Sequence, residues 1–396
     1  MALLLSRWCA WNRRSGVAGG ALSLFNGCRD RETPPAGLPS AREPGARHQH
    51  ALVKELHLHR RIYLNSTTYT KPDSWWRTPS RLMYTTRTKC CCNQVHSDKQ
   101  YKNPYTLAQE DLKNLYDEIR RLLAVSSDLK DICDYYFDGK GKAFRPMIVV
   151  LMAKACNLHH CKSRKLLKSQ HSIGMIVEMI HTASLVHDDV IDGSDTRRGK
   201  ITVNKIWGER KAILAGDFVL SAASVALARL GNNTVVSIFT RAIEDLVRGE
   251  FMQLGSKENE NERFVHYLEK TFKKTASLIA NSCKAVSILG NCDQDVQEIA
   301  YQYGRNVGIA FQLVDDVLDF TSCVDQLGKP TATDLKLGLA TGPVLFACQQ
   351  SDGVQQTCYL AHQYCQEAIR QISMLHPSPE RDALIQLAEI VLTRNK

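Results

Sequence analysis

Long apolar runs are missing from this chain. No uninterrupted stretch of 18 or more apolar residues occurs among its 396. The nearest, Ile173 to Val186, contains Glu178 and His181, so no membrane-spanning helix is expected. The 14 cysteines show no framework spacing and follow no secretory signal, which excludes a disulfide scaffold and points to reduced thiols. Cys156-Asn-Leu-His-His-Cys161 crowds four ligand-type side chains too closely for a CxxC-type zinc site. It reads as incidental Cys and His in a helix-end loop. Runs of alternating apolar and polar residues are also lacking, so a sheet protein is not expected.

Acidic residues are absent before Asp30, while Arg7, Arg13, Arg14 and Arg29 stand among Leu, Ala, Ser and Trp. Pro34, Pro35, Pro39 and Pro44 argue against a folded start. That composition is that of a mitochondrial transit peptide. Residues 1–100 hold 16 Lys and Arg against 6 Asp and Glu, whereas residues 101–396 hold 35 of each sign. The net charge of +10 therefore belongs to the leader. The remainder has no global field to gather a polyanion, and nucleic-acid binding is excluded.

From about Pro104 the texture becomes helical, as in Leu112, Leu115, Tyr116, Ile119, Leu122 and Leu123. Further helices are expected over 142–157, 170–192, 210–230, 233–254, 263–289, 294–320 and 354–373. Two of them end in the same pattern. One carries His-Asp-Asp-Val-Ile-Asp, with Asp188, Asp189 and Asp192; the other Val-Asp-Asp-Val-Leu-Asp, with Asp315, Asp316 and Asp319. Carboxylates at i and i+4 share a helix face, about 6 Å apart in rise. Hard oxygen ligands of this kind suit Mg²⁺, which binds one or two carboxylates together with substrate phosphates. Acids at a helix C-terminus oppose the macrodipole, so a twice-repeated pattern of them calls for a function. Cations lie nearby in Arg197-Arg198-Gly199 and in Gly141-Lys142-Ala143-Phe144-Arg145-Pro146, and His181 stands two turns before Asp188 on the same face.

Together these residues resemble the trans-isoprenyl diphosphate synthases, over residues 103 to the end and most closely their mitochondrial long-chain branch. The resemblance implies an all-α, isoprenoid synthase-type helical bundle around a central cavity, with 1–102 as transit peptide and leader and 103–396 as the catalytic domain. It implies that Asp188, Asp192, Asp315 and Asp319 hold Mg²⁺ with Asp189 and Asp316 assisting. It assigns Lys142, Arg145, His181 and Arg198 to isopentenyl diphosphate, and Arg197, Lys274, Thr275 and Gln312 to an allylic diphosphate, farnesyl or geranylgeranyl. The small residues Ala183 and Ser184 would leave a product tunnel open for a long chain, the ubiquinone side chain. The implied partner is a second synthase subunit in a heterotetramer, and the implied location the mitochondrial matrix or the inner-membrane surface, with at most peripheral membrane contact.

The chain departs from the family pattern at Lys140 and Ala143, and at Leu339, where a phosphate-facing lysine is usual. Between Pro343 and Gly353 it is shorter than the pattern by about one helix. A lost helix would expose apolar surface worth several kcal/mol at about 25 cal/mol per Å². Two alternatives follow: a catalytically weak structural or regulatory subunit, and another enzyme on the same architecture, such as a terpene cyclase or a head-to-head synthase. The Lys142/Arg145 turn and the second aspartate motif argue against the latter.

Overall fold

The computed structural model describes residues 103–394, apart from 124–126, 140, 142, 198, 255–259, 322–340, 350 and 351. The expected leader, Lys142, Arg198 and Leu339 lie outside the described residues. The elements begin with α1 (Pro104–Leu112), α2 (Leu115–Leu123), α3 (Ser127–Tyr136), α4 (Phe144–Cys161) and α5 (Lys168–Ile191). A two-residue antiparallel hairpin follows, β1 (Thr196–Arg197) with β2 (Lys200–Ile201), pairing Arg197 with Lys200. Then come α6 (Val203–Trp207), α7 (Glu209–Ala228), α8 (Asn233–Leu254) and α9 (Glu260–Thr271). A π-helical segment, Phe272–Ala276, runs from α9 into α10 (Ser277–Leu289), followed by α11 (Gln294–Thr321), α12 (Gly342–Gln349), α13 (Gly353–Ile372) and α14 (Pro379–Thr393).

Local chemistry sets several starts. Asn103 accepts a hydrogen bond from the Tyr105 amide ahead of Pro104, and Ser378 accepts one from Arg381 ahead of Pro379. A short polar side chain at the cap satisfies an orphan amide, and proline suits the first turn. The bundle centres on α10, buried on every side from Ser277 to Cys283 and from Ala285 to Ser287. A helix buried all round must satisfy its own polar groups. Asn281 donates to Ser277 O at 2.8 Å, Ser282 to Leu278 O at 2.6 Å and Ser287 to Lys284 O at 2.7 Å.

Around α10 pack α4, α5, α8 and α11, so the two aspartate-bearing helices share one buried neighbour. On α11, a Cβ at Gly304 would fall 2.8 Å from Ala280 Cα and one at Gly308 2.6 Å from Ala276 Cα. Only glycines allow this approach, and it fixes the height of Gln312, one turn further on. α13 packs along α11, and Tyr303 of α11 donates to Leu384 O of α14 at 2.8 Å.

The helical expectations match these elements within a few residues at each end. The stretch 263–289 differs, because the π segment interrupts it at the Lys273-Lys274-Thr275 step. Lys273 and Ser277 both bond Asp245 of α8, at 3.3 and 2.6 Å. These pulls come from a distant helix, so no local residue signals the interruption. Cys156 through Cys161 are the last turns of α4 rather than a loop, and their side chains point to different partners: Cys156 is buried, Cys161 donates to Asn157 O, and His159 stacks on His376.

One helix bears on the expectation about membrane spans. α7 is long and apolar enough to cross a membrane by length and composition, with mean hydropathy 1.6 over an 18-residue window. It escaped a search for unbroken apolar runs because Asp217, Ser221 and Ser224 interrupt it. One face, Ala212, Ala215, Gly216, Val219, Ala223 and Leu227, is buried in the bundle, mainly against α5. Leu214 and Val225 point outward, about half exposed.

The start of α13 lies exceptionally close to α12. A Cβ on Gly353 would meet Pro343 O at 2.0 Å and Ala347 N at 2.9 Å. Backbone atoms cannot swing away as a flexible side chain can. Gly353→Ala is therefore expected to cost about 1–3 kcal/mol, the usual penalty of overpacking, in denaturant unfolding. An unchanged midpoint would mean that α12 and α13 can slide apart.

Candidate active site

The first motif closes α5, with Asp192 as its C-cap. Its three carboxylates are not equivalent. Asp189 is 1% exposed, Asp188 half-buried and Asp192 exposed. Asp189 accepts from Arg197 Nε at 2.6 Å and from the Tyr136 hydroxyl at 3.4 Å. Burial and the Asp189 charge together push the Tyr136 phenol well up. The hairpin carrying Arg197 is clasped from the other side: Tyr135 donates to Ile201 O at 2.6 Å, and Lys200 pairs with Asp138 while lying over the Tyr135 ring.

The second motif repeats this division. Asp316 is 3% exposed, whereas Asp315 and Asp319 are half-buried. Tyr267 donates to Asp316 Oδ2 at 2.5 Å and Gln312 Nε2 donates to Oδ1 at 2.9 Å. Burial raises the Asp316 carboxyl, and these two hydrogen bonds act in the opposite direction. Gln312 in turn accepts from the Thr275 hydroxyl at 2.9 Å. Asp315 accepts from Arg394 Nη2 at 2.8 Å.

The π segment links the two motifs. Lys274 contacts Glu250 at 2.7 Å and Gln253 at 2.9 Å, both on α8. The segment lies so close to α8 that a Cβ on Gly249 would touch Lys274 N at 3.0 Å. Asp188 lies in the field of this group. Its carboxyl is pushed up to about 7, first by burial and then by Glu250, with Asp192 adding and Lys274 and Arg197 opposing. Thus Asp188, Glu250, Lys274 and Arg197 border one space, and Thr275 carries the contact on to Gln312 and Asp316.

This donor set suits a hard divalent cation. It is made of oxygen, and the crowding of Glu250 and Asp192 on Asp188 is negative charge that a cation would relieve. Among the described residues no three His, Cys, Asp or Glu side chains come close enough to hold a metal by themselves. A cation here would complete its shell from phosphate or water oxygens, as Mg²⁺ ordinarily does.

The remaining residues singled out in the sequence fall at expected heights. Arg145 occupies the first turn of α4, half-buried, just after Ala143 in a left-handed conformation with φ 46°. His181 is half-buried on α5. Ala183 is 2% exposed, and Ser184 returns its hydroxyl to His181 O at 2.8 Å, which leaves no unmet polar group on that face. A pocket between α2 and α3, lined by Asp117, Arg120, Lys130, Cys133 and Asp134, involves neither motif.

The polyprenyl synthetase family model matches residues 126–374. The chain belongs to that family. It is 60% identical to the human all trans-polyprenyl-diphosphate synthase PDSS1, over 99% of this chain and all of the relative. That alignment runs over 422 positions, more than the 396 residues here, so the relative has residues with no counterpart in this chain. A mitochondrial solanesyl-diphosphate synthase 1 from Oryza sativa is 40% identical over 75% of this chain and 80% of its own length. Among solved structures, a Caulobacter crescentus polyprenyl synthase complexed with calcium and isoprenyl diphosphate superposes with a TM-score of 0.69 at 27% identity, covering 76% of this chain and all of that one. The all-α fold of this family accommodates every element described, and the chain is a prenyltransferase.

Sequence reading missed several residues of this prenyltransferase's site. Glu250, Gln253, Tyr136, Tyr267 and Arg394 all bond members of the motifs or of the π segment. The Gly-Glu-x-x-Gln order at Gly249 to Gln253 was the one available signal, because it sets a polar pair on one face of an otherwise apolar helix end. The division between inner and outer aspartates can be tested directly. Asp189→Asn should lower stability by about 1–3 kcal/mol by leaving Arg197 without its anion. Asp192→Asn should leave the melting temperature within a degree or two and weaken divalent-cation binding instead. Equal stability losses in the two variants would remove the distinction.

Proposed function

We propose that this prenyltransferase is an all-trans-polyprenyl diphosphate synthase, which condenses isopentenyl diphosphate head to tail onto an allylic diphosphate to build the long side chain of ubiquinone. The observation that carries the reading is the repeated motif whose inner aspartate is locked into the fold and whose outer aspartates are less buried, with Arg197 and Lys274 beside them.

In this reading Asp188, Asp192, Asp315 and Asp319 would hold Mg²⁺, which when bound neutralises charge growing on the diphosphate leaving group. Arg197 and Lys274 add fixed cations where that charge develops. Asp189 keeps Arg197 in place, and Glu250 with Gln253 keeps Lys274 in place, so neither cation must reorganise as the C–O bond breaks. Thr275 and Gln312 border the same allylic diphosphate. Lys142, Arg145, His181 and Arg198 take isopentenyl diphosphate, and the positive end of the α4 dipole favours an anion there. The isopentenyl double bond attacks the allylic cation, a C–C bond forms, and a proton leaves to the departed diphosphate.

Product length follows from the wall of α5. The small residues Ala183 and Ser184 leave room for the growing chain, consistent with nine or ten units. A second synthase subunit joins this chain in a heterotetramer. A purely structural or regulatory role is not favoured, since the outer carboxylates and their neighbouring cations are all present. The Arg-rich start is a transit peptide for the mitochondrial matrix, with the inner-membrane surface a peripheral contact. The chain is a shortened form, lacking about one helix near residue 350.

The test uses the full-length chain with Mg²⁺, labelled isopentenyl diphosphate and either farnesyl or geranylgeranyl diphosphate, reading product length by chromatography with and without a second subunit. Polyprenyl products of nine or ten units are expected, and Ala183→Phe should shorten them. A folded protein giving no product under either condition would overturn the reading.

A further inference from the structure

Arg394 belongs to none of the motifs discussed above, yet it contacts one of them directly. It follows α14, and its Nη2 donates both to Asp315 Oδ1 at 2.8 Å and to Phe311 O at 2.5 Å. Its guanidinium lies 3.5 Å from the Phe311 ring centroid, and that ring packs on Phe144 at 5.0 Å, the first residue of α4. The Arg394 side chain is only 12% exposed, against 43% for Asp315. Burying a guanidinium is costly unless carboxylate, carbonyl and aromatic face all meet it. Here one residue meets all three, on the same two turns of α11.

We infer that Arg394 is a positioning residue for the second aspartate motif: it fixes the rotamer of Asp315, so that the carboxylate meets the divalent cation in one orientation. This rests on the reading of Asp315 as a metal ligand. One donor serves both acceptors, Nη2 to Asp315 Oδ1 and to Phe311 O, which favours orientation over simple neutralisation. A guanidinium held over the Phe311 ring and bonded to Phe311 O has little freedom to follow a moving carboxylate, so the carboxylate must settle against it. Hydrogen-bonded partners of this kind hold metal-ligating groups in place, and losing one typically weakens metal binding by 10–100-fold. Orientation and neutralisation predict opposite signs. An orienting arginine strengthens cation binding, whereas a competing positive charge weakens it.

The experiment is an electron paramagnetic resonance titration of Mn²⁺ with inorganic pyrophosphate present, on the full-length chain and on Arg394→Ala, Arg394→Lys and Asp192→Asn. Arg394→Ala should bind Mn²⁺ about 10–100-fold more weakly. Arg394→Lys should recover part of that loss, because an ammonium supplies the charge and a donor without the planar group that lies over Phe311. Half-saturation by Mg²⁺ in turnover should rise in parallel, with KM for isopentenyl diphosphate unchanged. If Arg394→Ala does not fold, Arg394→Lys alone carries the test, and wild-type affinity in it overturns the inference. Unchanged or tighter Mn²⁺ binding in Arg394→Ala, alongside weakened binding in Asp192→Asn, would overturn the role of Arg394 and leave the metal site standing. Absence of Mn²⁺ binding by the unaltered chain would overturn both.

Discussion

A carboxylate taken out of water is costly unless it is paired and hydrogen-bonded, and this chain buries one at the same place in each of two motifs. Asp189 is held by Arg197 and Tyr136; Asp316 is held by Tyr267 and Gln312. Each partner comes from a different element, so each buried acid fastens several pieces of the bundle at once. Asp189 ties the hairpin and α3 to the end of α5. Asp316 ties α9 to α11, and through Gln312 it also reaches the π segment. The outer aspartates are presented by the same helical turns that these buried acids immobilise. Rigidity at the site is therefore a consequence of where the inner charges had to go.

The π segment between α9 and α10 serves the same end. An ordinary helical register would direct Lys273, Lys274 and Thr275 about one residue's rotation differently. The wider turn lets Lys273 reach Asp245, Lys274 reach Glu250 and Gln253, and Thr275 reach Gln312. Single π turns inside α-helices recur at functional sites for this reason. The fully buried α10 that follows anchors the segment from below, and Gly304 and Gly308 bring α11 close enough for the Thr275–Gln312 bond.

Much of this was legible in the sequence, because helices and repeated motifs are local signals. The 3.6-residue periodicity marked α5, α7, α8, α11 and α13 closely, and the two aspartate motifs with their flanking cations marked the site. What stayed hidden depends on contacts between distant positions. Tyr267 is 49 residues from Asp316, and Arg394 is 79 residues from Asp315. Nothing around either residue distinguishes it from an ordinary helix-end side chain. The unequal burial of aspartates within one motif was equally invisible, since it depends on which face of α5 or α11 meets the core. α12 went unread because the motif departures near 350 obscured its short apolar run.

The start of α13 and the site both lie against that same short helix. Gly342, the first residue of α12, lies beside the Tyr267 hydroxyl that holds Asp316. A Cβ there would meet the hydroxyl at 2.9 Å. Pro343, the next residue, is the one whose carbonyl presses on Gly353. The close approach at Gly353 and the hydroxyl that clamps Asp316 therefore meet at two consecutive residues, Pro343 and Gly342.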